Sequence, residues 1–158
     1  MMNEQEMKEA ASKLMQYKSM FEEIEVQQEI LEDQAKLLLS SLEQNERSKA
    51  ILEKYSKGME DDELLIHLGG DIFMHGKIKD RKNAVVGVGV GVYIQMDVEK
   101  ALKLCEKRGK EIRDILAELE EKQKTFEEEK IKIASAYNAL ATKLESSAQS
   151  ARRGAGAS

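Results

Sequence analysis

The sequence predicts a mainly α fold with a small β module: a long antiparallel two-helix coiled-coil hairpin with two β-hairpins between the helices. Three observations predict it. Two regions of matched length carry apolar residues on a heptad repeat. The segment between them alternates with period two and is punctuated by glycine. The composition suits long helices better than a globular core, with 35% charged residues, 4% aromatic, no Trp and no Pro in 158 residues. Without Pro, the commonest cause of a sharp helix kink is missing.

The first helix is expected over residues 4–56. With Met7 at heptad position a, the a series is Met7, Leu14, Phe21, Gln28, Ala35, Leu42 and Lys49. The d series is Ala10, Tyr17, Ile24, Leu31, Leu38, Asn45 and Leu52. Eleven of these fourteen are apolar, a coiled-coil pattern. Asn3, with Glu6 three residues on, suits a capping box. Gly58, after Lys54 and Lys57, suits a helix stop.

Residues 58–96 read as the β module. Leu64, Ile66 and Leu68 alternate with Leu65 and His67, and Gly69-Gly70 offers a turn. Ile72, Met74 and Ile78 fall on even positions, as do Val86, Val88, Val90, Val92 and Ile94. Period two with valine enrichment is the strand signature, and Gly89-Val90-Gly91 offers a second turn. Four short strands with open edges are marginal alone and prone to pair with other chains. The expected assembly residues are therefore Leu64, Ile66, Leu68, Ile72, Met74, Ile78, Val86, Val88, Val90, Val92 and Ile94.

The second helix is expected over residues 97–149, with Asp97 as N-cap. Its d series, Val98, Cys105, Ile112, Leu119, Phe126, Ile133 and Leu140, is wholly apolar. Its a series, Leu102, Gly109, Leu116, Gln123, Lys130, Tyr137 and Leu144, is mixed, and Gly109 and Lys130 are expected to loosen the seam. At 1.5 Å per residue each region of about 53 residues would reach ~80 Å. Neither can bury its stripe alone. Matched lengths favour folding back within the chain, with a parallel homodimer as the structural alternative. Residues 150–158, rich in Ser, Ala, Gly and Arg, read as a disordered tail.

Charge and motifs exclude several functions. The net charge of -5 offers no basic stripe for nucleic acid. The longest apolar run, 84–94, is far short of the ~20 residues of a membrane span. The first residues lack the blocks of a signal peptide, and a lone Cys105 suits a reducing, cytoplasmic compartment. Gly87-Val88-Gly89-Val90-Gly91 lacks phosphate-loop spacing and leads into a strand. His67 and His75 lack further ligands at metal-site spacing, so no metal and no cofactor are expected. Cys105 falls on the seam with no histidine near it. Glu120-Glu121 and Glu127-Glu128-Glu129 read as a solvated face. No catalytic residues are assigned, and no enzyme activity is expected.

The order helix, two β-hairpins, helix resembles the alpha class of prefoldin subunits. The resemblance is carried by Gly76-Lys77-Ile78-Lys79-Asp80, by Ala84 to Tyr93 with its Val/Gly alternation, and by Asp97-Val98-Glu99-Lys100-Ala101. At sequence level it covers residues 64–107. It departs from the family where a Pro-containing first strand is replaced by Leu65-Ile66-His67-Leu68. The resemblance implies a hetero-hexamer of two alpha-class and four beta-class subunits around a double β-barrel. It implies ATP-independent capture of unfolded client proteins at the coiled-coil tips and transfer to a group II chaperonin. Some alpha-related subunits form filaments instead, so a structural or filament-forming coiled coil is the alternative. A nucleic-acid-binding arm is a third, opposed by the acidic balance.

Five of the eight Met residues lie within the first twenty, and Met suits promiscuous apolar contact. The expected client-binding residues are Met7, Ala10, Ala11, Leu14 and Met15 with Tyr137, Leu140, Ala141 and Leu144 of the opposing helix, provided the last turns splay apart. The alternative is that Met7, Leu14, Tyr137 and Leu144 simply fill the seam.

Overall fold

The computed structural model describes residues 3–58 and 63–150 in full and the backbone of 151–155. Two long helices, α1 (Glu4–Ser56) and α2 (Val98–Ala155), flank four strands: β1 (Glu63–Gly69), β2 (Ile72–Lys77), β3 (Asn83–Gly89) and β4 (Val92–Asp97).

The start of α1 follows from its sequence. The Asn3 amide donates to Glu6 Oε2 (2.6 Å) and the Glu6 amide to Asn3 Oδ1 (2.8 Å), a reciprocal capping box. Along α1 every a and d residue is buried or half-buried, and from Glu4 to Lys54 every other position is exposed. The second helix repeats this on its own a and d positions, except that Tyr137 is 38% exposed. A strict 3.5-residue stripe can be satisfied only against a second such stripe, which explains the narrow seam of α1; α2 adds cover off its stripe, most fully at Ala101.

The chain divides into two compact units, Met1–Lys36 with Ala117–Ser158, and Leu37–Leu116. In the first, Gln28 meets Glu127, Glu25 meets Lys130 and Glu32 meets Gln123. One partner's number rises as the other's falls, so the helices run antiparallel. Ile24 and Ile133 are buried here, each side chain stabilising the seam by about 1.5–3 kcal/mol relative to exposure.

In the second unit the same direction holds, with Glu46 to Arg113 and Lys49 to Glu106. Val98, Ala101 and Cys105 are buried where α2 begins. The strands form two separate antiparallel pairs, β1 with β2 and β3 with β4. Leu64 lies opposite Gly76 and Ile66 opposite Met74; Ala84 lies opposite Met96 and Val86 opposite Ile94. Both central residues of each hairpin turn have positive φ, Gly70 (55°) and Asp71 (61°) in the first, Val90 (51°) and Gly91 (74°) in the second, as do the glycines before them, Gly69 (109°) and Gly89 (116°). Type I′ turns require that combination and suit the right-handed twist of the strands.

The connection at 78–82 joins hairpins to helices. Asp80 Oδ1 accepts the amides of Lys82 (2.9 Å) and Asn83 (3.1 Å), while its Oδ2 accepts Asn83 Nδ2 (3.0 Å). Arg81 donates to the Tyr55 carbonyl (2.9 Å), satisfying one of the orphan acceptors at the end of α1. The Val98 amide donates to the Lys82 carbonyl (2.9 Å) at the start of α2.

Two expectations change. Ile78 follows β2 rather than continuing it, and lines a small cavity with Ile51, Leu52 and Val98. It is half-buried within its own chain instead of on a strand face. The α2 helix also runs to Ala155, six residues past the expected end at 149. Ala and Arg, frequent there, are strong helix formers, which outweighs the breaking signal of a lone Gly154. Only 156–158 of the expected tail lie outside the described residues.

Candidate interaction surfaces

In the first unit the predicted residues divide by heptad position. Ala10 is buried, and Met7, Leu14, Leu140, Ala141 and Leu144 are half-buried. Ala11, Met15 and Tyr137 face outward, Met15 at 77% exposure. Ala10 is 4% exposed, so the seam is covered at its level. The groups open to a ligand are therefore those beside the seam.

An open groove of about 370 Å³ lies at that level, with Phe21, Ile133 and Tyr137 as its apolar wall and Lys18, Glu22 and Glu25 on its rim. The rim pairs Lys18 with Glu22 at 3.8 Å. Lys130, at a seam position, places Nζ 4.9 Å from the Phe21 ring centre and 3.4 Å from Glu25 Oε1. The ring face and the carboxylate together satisfy a cation at a core position. Of these groove residues only Tyr137 is among the residues expected to bind clients. Phe21 and Tyr137 at a positions were the available signal, since large aromatic rings overfill a two-helix seam and leave an edge outside.

The second unit places the predicted assembly residues on two thin sheets. Ile66, Leu68, Ile72, Met74, Val88, Val90, Val92 and Ile94 are exposed, and Leu64 and Val86 are half-buried. The odd-numbered faces are apolar too: Leu65, Phe73, Val85 and Tyr93 are exposed. Alternation of the even-numbered residues marks one face only. Hairpin β3–β4 is tied to α2 by Arg108, which donates to the Gly87 carbonyl (2.6 Å). His67 stacks on Phe73 with ring centres 4.9 Å apart, and His75 Nδ1 lies 3.8 Å from Glu63 Oε2. Among the described residues no three His, Cys, Asp or Glu side chains gather as metal ligands. Nor, among them, is any helix long and apolar enough to cross a membrane.

Polar seam residues in this unit are matched across the helices. Asn45 Nδ2 donates to the Cys105 carbonyl (2.8 Å). Gly109 permits this approach, because a Cβ there would sit 3.1 Å from Asn45 Nδ2. Lys49 donates to Glu106 at 3.2 Å, and that bond raises its affinity for its proton above that of an ordinary lysine. Burial pushes the Cys105 thiol up.

Comparison with known proteins bears on these surfaces. Residues 24–149 match the family model described as prefoldin subunit. Prefoldin subunit alpha 1 of Thermococcus kodakarensis is 37% identical over 97 residues, covering 57% of this chain and 66% of that protein. Prefoldin subunit alpha of Pyrococcus horikoshii is 30% identical over 98 residues, with 57% and 66% covered. The match thus spans just under two thirds of these relatives' length. A cryo-EM structure of filamentous PFD from Methanocaldococcus jannaschii shares the fold, with a TM-score of 0.66 at 19% identity, covering 75% of this chain and 98% of that one.

Proposed function

Since the chain belongs to the prefoldin family, we propose that it is an alpha-class subunit of an ATP-independent holdase. It assembles through its β-hairpins with a second alpha-class and four beta-class subunits. It holds unfolded client proteins at the paired helices of its first unit and passes them to a group II chaperonin in the cytoplasm. It needs no cofactor, catalyses no reaction, and engages neither nucleic acid nor membrane.

The observation that carries this reading is the pair of hairpins with apolar side chains exposed on both faces. Two-stranded sheets of that kind are unstable alone in water and template further pairing, so cover by other subunits accounts for them. For client holding, the support is the Phe21–Ile133–Tyr137 groove and the exposure of Met15 and Met20 on the same helix. Many weak contacts of this kind, repeated over several subunits, reach useful avidity without a deep pocket.

The test is light scattering of a denatured client, diluted into buffer containing this chain assembled with a beta-class subunit. Suppression at stoichiometric concentration, unchanged by ATP, is expected. Undiminished aggregation in the presence of a verified mixed oligomer would overturn the reading. A self-assembled filament is the second reading, favoured by the similarity in fold to filamentous PFD. Electron microscopy of the chain alone separates the two.

A further inference from the structure

The charge of the chain is not spread evenly. The first unit holds 16 acidic against 11 basic residues and so carries the whole net charge of -5, while the second balances 14 with 14. Within the first unit the excess is local. From Glu22 to Asp33, α1 carries six acidic residues and no basic one. On α2, Glu118 to Glu129 carries six against Lys122 and Lys124, and Lys124 is already held by Glu120 and Glu121. Residues 3–18 and 132–150, by contrast, hold four acidic and five basic residues, close to balance.

The Phe21–Ile133–Tyr137 groove opens on the border between these zones. Its lining residues Lys18, Glu22, Glu25, Ala134 and Asn138 all take heptad position b or e, so it marks one flank of the helix pair. One way, the b and e positions continue into Met15 and Ala11, both exposed. The other way, they continue into Glu29 and Glu32 of α1 and Glu127 of α2. These three carboxylates form no ion pair among the described residues; Glu127 and Glu32 accept from the side-chain amides of Gln28 (3.3 Å) and Gln123 (3.4 Å). Glu25, Glu29 and Asp33 stand four apart on one helix, where like charges oppose helix formation, so the stability of α1 does not account for them. Lys130 shows what the groove accommodates. Its ammonium lies over the Phe21 ring and 3.4 Å from Glu25, an aromatic face and a carboxylate acting on one cation. Tyr137 and Glu22 present the same two kinds of group, both exposed.

We infer that this flank selects client segments in which apolar residues are interspersed with lysine or arginine. The apolar side chains fill the groove, and the cations lie along Glu22, Glu29, Glu32 and Glu127. An acidic segment of equal apolarity meets like charge there and is turned away. The field of these carboxylates extends about 8 Å at physiological salt, far enough to act on a chain seated in the groove. The inference rests on the reading that the first unit holds unfolded clients, and names the class of client.

The experiment is fluorescence anisotropy of labelled, unstructured peptides titrated with the mixed oligomer of this chain and a beta-class subunit. Three peptides share the same leucine and phenylalanine positions and differ in the residues between them: lysine, glutamine or glutamate. A fourth keeps the lysines and has serine at every apolar position. The apolar lysine peptide is expected to bind about tenfold tighter than the glutamine peptide at low salt, with the glutamate peptide weakest. That ratio should fall toward one in about 0.5 M salt, and also in the double variant Glu22→Gln with Glu29→Gln, whose fold and assembly are verified by circular dichroism and native mass spectrometry. Equal binding of the lysine and glutamine peptides would overturn the selectivity while leaving client holding standing. A ratio that the double variant leaves intact would place the charge preference on other subunits and overturn its assignment to this flank. A serine–lysine peptide bound as tightly as the apolar one would overturn the part played by the groove. Failure of every apolar peptide to bind a verified oligomer would overturn client holding itself.

Discussion

Replacing Gly109 by Ala tests how the seam tolerates its polar residues. Two effects of similar size oppose each other. Ala is favoured over Gly in a helix interior by about 1 kcal/mol. The new methyl would stand 3.1 Å from Asn45 Nδ2, displacing the amide from the Cys105 carbonyl that it now reaches at 2.8 Å. Losing that hydrogen bond costs about 1 kcal/mol. In the native background Gly109→Ala should therefore change stability little. In an Asn45→Ala background no amide remains to displace, and the full ~1 kcal/mol gain should appear. The expected coupling is thus about 1 kcal/mol. Urea unfolding of the four chains, followed at 222 nm and fixed protein concentration, measures it; concentration must be held because assembly is linked to stability. A gain of about 1 kcal/mol in both backgrounds would refute the argument that Gly109 keeps the space open for Asn45.

Lys130→Leu should stabilise the first unit by about 1 kcal/mol, since a charge on a seam position gives way to an apolar residue; thermal unfolding checks this, and a lower midpoint would mean that Phe21 and Glu25 contribute more than the packing of Leu. Asp80 is held below the ordinary carboxylate range, chiefly by the Asn83 side chain and then by the Lys82 and Asn83 amides. Its folded form therefore binds a proton less readily than the unfolded chain, and its stabilising effect is present above about pH 4 and lost as pH falls through the folded value. Asp80→Ala should accordingly be less stable than the native chain at pH 7, with the gap closing as pH falls below the ordinary carboxylate range, as read by chemical unfolding at each pH. Arg108→Ala should release the Gly87 carbonyl and speed amide hydrogen exchange within β3 and β4, while exchange within β1 and β2 stays unchanged.

The heptads were legible because a side-chain period of 3.5 is a property of sequence alone. Thus the a and d residues from Met7 through Leu52 fall on one stripe by their spacing alone. The two hairpins were legible for the same reason, from period two and glycine at the turns. Pairings across the seam were not. That Asn45 reaches the Cys105 carbonyl depends on the axial register of two helices and on a missing Cβ at Gly109, neither of which appears in a one-dimensional pattern. Lys130 looked like a defect because its compensation, the ring of Phe21 and the carboxylate of Glu25, lies over a hundred residues away. The groove escaped notice because it arises from how far aromatic rings extend past the seam. Ile78 kept the even-numbered pattern but left the strand, showing that parity persists through a turn where hydrogen bonding does not.

Cys105 has a practical consequence. It is the only cysteine in the chain, it is buried, and its thiol is held protonated beyond the ordinary range. Thiol-directed dyes and spin labels react through the thiolate, so the native sulfur should be slow to take them. A cysteine placed at an outward position, such as Ser12 or Ser135, would be labelled selectively without first removing Cys105. The native chain therefore comes ready for site-specific fluorescence and electron-spin distance measurements, with its seam left intact.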